Sequence, residues 1–165
     1  RIGEELGIEM GLLKEADKIN QDRIRLFMEK VKRALWVLRE KRIAILGLSF
    51  KPNTDDIREA PSLKIIRELR REEASVHLYD PRAMENMKQV FPEDPPHLVY
   101  HADLYEAVRG ANALLILTEW DEFRQMDLER VKNLMANPII IDGRNIFEPD
   151  KIRKLGFEYY CFGRH

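Results

Sequence analysis

The sequence predicts an α/β fold, a parallel sheet of five or six strands with flanking helices, preceded by a long α-helix. Three observations lead there. Short apolar runs alternate with helical patterns from about residue 40 to the end. The runs recur at roughly 20 to 30 residues, the spacing of βαβ units with right-handed crossovers. Runs such as Ala113-Leu114-Leu115-Ile116-Leu117 are apolar on both faces of a strand, as in a parallel sheet covered by helices.

The chain opens with a turn or two, ending near Leu6-Gly7, that could close an earlier helix. A helical pattern then runs almost uninterrupted from about Met10 to Arg39, with Leu12, Ala16, Ile19, Phe27, Val31, Ala34 and Leu38 on one face. No proline or glycine breaks Leu12 to Arg39. At 1.5 Å per residue such a helix is roughly 40 Å long, more than one small domain can cover. It is expected to connect domains and to pack against a symmetry mate. The chain thus divides into residues 1–39, a central helix region, and residues 40–165, the sheet domain.

Strands are expected at Ile43–Leu46, Val76–Tyr79, Leu98–Tyr100, Ala113–Leu117, Ile139–Ile141 and Tyr159–Phe162. Helices are expected at Ser62–Arg71, Ala83–Val90, Leu104–Arg109, Leu128–Met135 and Asp150–Leu155. Asp103, with Glu106 three residues on, reads as an N-cap, and Gly110 suits the position that ends that helix. Phe91-Pro92-Glu93-Asp94-Pro95-Pro96 reads as a solvent-facing loop. The pattern is that of a Rossmann-like, doubly wound sheet.

The totals narrow the function classes. The 165 residues suffice for one domain with a real core. Lysine and arginine (28) nearly balance aspartate and glutamate (29), so no electrostatic footprint for nucleic acid or an anionic membrane is visible. No apolar run approaches the roughly 20 residues needed to span a bilayer. Cys161 is the only cysteine, so no intramolecular disulfide can form, which fits the cytoplasm. The start, Arg1-Ile2-Gly3-Glu4-Glu5, shows neither an initiator methionine nor a signal-peptide pattern and reads as a cut inside a longer protein.

The chemistry is concentrated in the long loop after the first strand, from Gly47 to Pro61. Open α/β sheets bind ligands at the carboxyl ends of their strands. Gly47 is the loop's only glycine, so the G-x-G-x-x-G fingerprint is absent and NAD is not expected here in the ordinary Rossmann manner. Lys51 and Arg58 make an anion site one reading of the loop and an ordinary solvated loop the other. Asp80, closing the second strand, reads as a cap for the following helix, with Pro81 at its first position, rather than as a ribose ligand. Trp120 and Phe123 read as packing residues. Gly143 allows a tight turn after the fifth strand, and Arg144 would project into the crevice near Lys51. His77, His97, His101 and His165 show no metal-ligand spacing with one another or with Cys161, which reads as a buried, inert thiol. No nucleophile–base pair is apparent.

Gly47-Leu48-Ser49-Phe50-Lys51-Pro52-Asn53-Thr54-Asp55-Asp56-Ile57-Arg58-Glu59-Ala60-Pro61 resembles the signature loop of the UDP-glucose/GDP-mannose dehydrogenase family. Ala16-Asp17-Lys18-Ile19-Asn20, Tyr79-Asp80-Pro81, Leu117-Thr118-Glu119-Trp120, Ile141-Asp142-Gly143-Arg144 and the terminal Gly163-Arg164 match in the family's order. The resemblance covers essentially the whole chain and is strongest to members that oxidise UDP-glucose; a GDP-mannose or UDP-N-acetylhexosamine specificity is the nearest alternative, and a non-catalytic dimerisation module is the rival from another class.

The resemblance implies oxidation of a sugar C6 alcohol to a carboxylate by two hydride transfers to two NAD molecules. A cysteine thiolate holds the intermediate as a thiohemiacetal and then a thioester. That nucleophile belongs to a Gly-Gly-x-Cys segment preceding the central helix. The present sequence starts after that point, and Cys161 does not match it. The fragment is therefore expected to be inactive alone, with NAD bound mainly by an amino-terminal domain. The resemblance further implies that Phe50, Lys51 and Arg144 contact the nucleotide sugar and that Arg58 reaches NAD. It also implies a homodimer through the long helix. Ala60 departs from the family's common Ser before Pro61, and Ser62 could take over the capping.

Overall fold

The computed structural model describes residues 2–163. Arg164 and His165 lie outside the described residues, as does the side chain of Leu12. The chain forms α1 (Ile2–Leu35), β1 (Arg42–Leu46), α2 (Pro61–Arg71), β2 (Ser75–Tyr79), α3 (Met84–Val90), β3 (Leu98–Tyr100), α4 (Leu104–Val108) and β4 (Ala113–Ile116). It continues through α5 (Asp121–Arg124), α6 (Leu128–Leu134), β5 (Ile139–Asp142), α7 (Pro149–Lys154) and β6 (Glu158–Tyr160). All six strands are parallel, in the order β3-β2-β1-β4-β5-β6. This is the Rossmann-like sheet that the alternation predicts.

Period-two alternation divides the core into two layers. Ile43, Ile45, Val76, Leu78, Leu115 and Ile141 face α1, α2 and α3, meeting Phe27, Val31, Ile65, Ile66, Leu69 and Met87. Ala44, Leu46, Leu114, Ile116 and Ile140 face the other helices, meeting Leu104, Val108, Phe123, Val131 and Ile152. Every residue of β4 is buried, as its unbroken apolar run requires.

Most boundaries fall within a residue or two of those expected, and three differences have local causes. Helix α1 is continuous from Ile2 through Leu6-Gly7, so no separate earlier helix ends there. It stops at Leu35 rather than Arg39 because Trp36 takes a left-handed conformation (φ 62°) and turns the chain towards β1. Leu38 remains buried, but as an anchor in that connection. The one-turn helix α5 is too short to show a period; its Phe123 is fully buried. Along α1 the core-facing residues are Ile24, Phe27, Met28, Val31, Ala34 and Leu35, whereas Ala16 and Ile19 of the expected stripe are exposed.

Helix α4 is capped as expected. The Asp103 carboxylate accepts from the N–H of Tyr105 and Glu106, and Gly110 (φ 70°) follows the helix end. Beneath α4 the buried His77 pairs with the partly buried His101. Ser75 Oγ donates to the Pro96 carbonyl (2.6 Å), so it must accept from His77 Nε2 (3.1 Å). His77 Nδ1 is then an acceptor and receives the Nε2–H of His101 at 2.7 Å. The His77 ring is neutral in this arrangement. Burial, Arg42 and the neighbouring ring push His77 down to about 3. His101 is also lowered, by burial and Arg42, against the opposing pull of Glu106, Asp103 and Glu93.

Between pH 6.5 and about 3 the unfolded chain binds a proton at position 77 that the folded chain does not, so stability falls as pH falls through that window. By linkage the His77 contribution is about 2 kcal/mol between pH 7 and pH 5. Urea unfolding at the two pH values should show this loss in the wild type and a much smaller one in His77→Gln. An equal pH dependence in both proteins would contradict the arrangement.

Candidate functional site

Strands β1 and β4 lie side by side where the chain order of the sheet reverses, so the loops after them flank the switch point at the carboxyl edge. The loop after β1 has two parts. Its stem, Gly47-Leu48-Ser49, is buried; its tip, from Phe50 to Glu59, is largely exposed. Gly47 donates to the Tyr79 carbonyl at 3.0 Å. Its φ of 97° suits glycine, and a Cβ there would lie 2.5 Å from the Thr118 nitrogen. Phe50 N–H donates to the Asp56 carbonyl (2.8 Å) and closes the tip on itself.

Asp80 fastens the stem. It is fully buried. Its Oδ2 accepts from Leu48 N–H (2.7 Å), Ser49 N–H (3.1 Å), Ser49 Oγ (3.2 Å) and Trp120 Nε1 (3.2 Å). Its Oδ1 accepts from Arg82 and Ala83 N–H, each at 2.8 Å. One carboxylate thus ties together the loops after β1, β2 and β4. The expectation that it caps the next helix needs correction, because α3 begins at Met84 with Ala83 as its cap and Asp80 closes the turn before it. Two hydroxyls complete the frame: Thr118 Oγ1 donates to the Ser49 carbonyl and Ser62 Oγ to the Leu48 carbonyl, each at 2.7 Å. Ser62 therefore does not cap α2, which has Ala60 at its N-cap without a side-chain bond.

Trp120 and Phe123 are buried, as packing residues should be, and Trp120 adds the indole bond to Asp80. The loop after β5 repeats the design. Asp142 is fully buried; it accepts from the N–H of Arg144 (2.9 Å), Ile146 (2.8 Å) and Phe147 (3.3 Å) and from the Tyr159 hydroxyl (2.7 Å). Burial and this bond push the Tyr159 phenol up. Gly143 does not have a positive φ, so its role differs from the expected tight turn. A Cβ there would lie 3.1 Å from the Ile116 carbonyl and 3.1 Å from Phe27 of α1. The glycine lets the long helix pack closely on this loop.

The candidate side chains stand on these frames. Phe50 is half exposed (49%). Lys51 is exposed, with Asp56 as its electrostatic neighbour. Arg58 is 88% exposed and pairs with Asp56 through Nε (3.0 Å) and Nη2 (2.9 Å), which holds the Asp56 carboxyl at about 2. Arg144 donates from Nε and Nη2 to both oxygens of Glu119, the Nη2 bond being 2.6 Å, and this holds the Glu119 carboxyl below its usual range. Strand β4 lies between β1 and β5, so Lys51 and Arg144 rise from loops two strand positions apart. That separation is about 10 Å at the backbone.

Sequence reasoning missed Glu119 as the partner of Arg144 and Asp142 as the organiser of its loop. The available signal was an acid directly after each buried strand, in Tyr79-Asp80 and Ile141-Asp142. The sheet does not fit a dinucleotide, since its one loop glycine packs on Thr118 and Asp80, the acid at the ribose position, is fully consumed by its own loops. Among the described residues, no group of three or more His, Cys, Asp or Glu could hold a metal ion. No described helix is long and apolar enough to cross a membrane.

The sequence model for the UDP-glucose/GDP-mannose dehydrogenase family, UDP binding domain, matches residues 44–149, the span holding both loops. The chain belongs to this family.

Its curated relatives include UDP-glucose 6-dehydrogenase YwqF of Bacillus subtilis, 41% identical over 153 residues, covering 93% of this chain and 34% of the relative. UDP-glucose 6-dehydrogenase of Rhizobium meliloti is 43% identical over 127 residues, 77% of this chain and 28% of the relative. The chain thus spans about a third of the length of these relatives. Among solved structures it is similar to a UDP-glucose dehydrogenase from the hyperthermophilic archaeon Pyrobaculum islandicum, with TM-score 0.74 and 29% identity over 99% of this chain and 34% of the other. A UDP-D-ManNAc dehydrogenase from Pyrococcus horikoshii aligns with TM-score 0.67 and 31% identity over 90% of this chain and 31% of the other.

Proposed function

We propose that this chain is the UDP-sugar-binding part of an NAD-dependent UDP-glucose 6-dehydrogenase, with residues 40–165 as the binding domain and residues 1–39 as a helix that pairs two copies. The observation that carries the reading is the construction of the loop after β1. A stem locked by Asp80, Thr118 and Ser62 presents Lys51 on an exposed tip inside the segment matched by the family's UDP-binding domain.

In this reading the chain's own residues bind and orient. Lys51 supplies a mobile ammonium for the diphosphate, and Phe50 lies against the nucleotide sugar through ring or backbone. Arg144 approaches the same ligand from the loop after β5. Arg58, on the outer side of the tip, faces NAD held by a domain other than this sheet. NAD supplies the hydride acceptor, and the reaction belongs to the whole protein. UDP-glucose is favoured as substrate by the relatives described above; UDP-N-acetylhexosamine is the second reading, supported by the ManNAc dehydrogenase neighbour.

Calorimetric titration of the chain with UDP-glucose, UDP and GDP tests this. A charge-assisted hydrogen bond contributes about 1.5–3 kcal/mol, so Lys51→Ala and Arg144→Ala should each weaken UDP-glucose binding by about tenfold or more. GDP should bind more weakly than UDP. Equal affinities in all three proteins would remove the site assignment.

A further inference from the structure

We infer that Glu119 determines what Arg144 recognises, converting it from a cation for phosphate into a reader of sugar hydroxyls. The inference rests on the site proposed above. A guanidinium offers a side-on edge, Nε with Nη2, and an end-on edge, Nη1 with Nη2. Glu119 occupies the side-on edge with both carboxylate oxygens. The end-on edge is left to a ligand.

The pair as a whole carries no net charge, and both side chains are partly screened from water, at 34% and 27% exposure. A neutral unit has little to offer a diphosphate. It does place N–H donors beside carboxylate lone pairs, the pattern that complements hydroxyl groups, which donate and accept. Lys51, exposed on the loop tip beside Asp56, is the cation left for the diphosphate.

Glu119 is also held where this requires. Its neighbours on both sides are tied down, Thr118 by the Ser49 carbonyl and Trp120 by Asp80. Its carboxylate accepts from Arg144 through both oxygens, and this pairing lowers its pKa. The segment therefore presents a preset donor–acceptor pair at the carboxyl edge of β4 and β5. Through it the site would distinguish a nucleotide sugar from the bare nucleotide.

The test is the ratio of UDP to UDP-glucose dissociation constants in the wild type, Glu119→Gln, Glu119→Asp and Arg144→Ala, with thermal midpoints measured alongside. The expected result is a wild-type preference for UDP-glucose that falls at least fivefold in Glu119→Gln. UDP affinity is retained or raised in that variant because the freed guanidinium can turn to phosphate. Glu119→Asp, which keeps the charge on a shorter arm, recovers part of the preference. A purely structural Glu119 would lower both affinities together and leave the ratio unchanged, and that outcome overturns the inference. If Arg144→Ala weakens binding while Glu119→Gln keeps the wild-type ratio, the site stands and the role of Glu119 falls. If the wild type shows no preference for the sugar, the inference falls and the site stands; if neither Arg144→Ala nor Lys51→Ala alters binding, both readings fall.

Discussion

Asp80→Ala is expected to destabilise the fold by about 4 kcal/mol and to abolish nucleotide binding in whatever remains folded. Removing the carboxylate leaves the N–H groups of Leu48, Ser49 and Ala83 and the indole N–H of Trp120 without their acceptor in a buried setting, and the partly buried Arg82 N–H unpaired as well. Each unsatisfied buried donor costs about 1–3 kcal/mol, and water entering the cavity recovers part of the sum. Asp80→Asn separates acceptor chemistry from volume, because the side chain keeps its shape but points an N–H₂ at N–H donors. It should therefore lose most of the stability that Asp80→Ala loses. Urea unfolding of the three proteins measures this, and a loss below about 1 kcal/mol in both variants would mean that the carboxylate does not organise the loops.

Gly47→Ala is expected to cost about 3 kcal/mol or more and to weaken binding through a residue that no ligand touches. Two penalties combine. A φ of 97° is strained for alanine, typically by about 1–3 kcal/mol. The new methyl would sit 2.5 Å from the Thr118 nitrogen and 2.6 Å from its Cβ, contacts that the packed β1–β4 edge relieves only by moving one loop away from the other. Because Thr118 and Asp80 then lose their grip on Ser49, Lys51 is displaced as well. Thermal unfolding and UDP titration of Gly47→Ala check both effects. Wild-type behaviour would show that the two loops need not be in register.

The sheet was legible in the sequence because β4 is apolar on both faces and the strands recur at βαβ spacing, signals local to each run. The order of strands comes from the structure alone, because right-handed crossovers are compatible with more than one order. The loop's length, its lysine and its arginine mark it in the sequence as a candidate site. Its fastening was not legible, because Leu48 and Ser49 meet Asp80 across about 30 residues of chain. An aspartate after a strand has the same local appearance whether it faces solvent, caps a helix or holds three loops together. Glu119 was invisible as a partner of Arg144 for the same reason, the contact joining the ends of neighbouring strands. Gly143 looks like a turn residue in the sequence, whereas its cause is the approach of Phe27, a contact made by tertiary packing alone. The end of α1 also escaped, since Trp36 and Val37 continue a helical pattern while the backbone has already turned.

Two clefts of the described residues lie elsewhere. Clefts of about 380 Å³ between α1 and α2, lined by Ile24, Met28 and Lys64, and about 390 Å³ near Arg39, Arg70 and His97, lie away from both loops.

The central claim is that the nucleotide lies across the carboxyl edge of β1, β4 and β5, and amide chemical-shift mapping of UDP on the labelled chain tests it most directly. The account predicts saturable shifts at Ser49, Phe50, Lys51, Glu119, Gly143 and Arg144, with Ile24, Met28 and Lys64 unmoved. Shifts concentrated in the α1–α2 cleft, or none in the two loops at millimolar UDP, would contradict it.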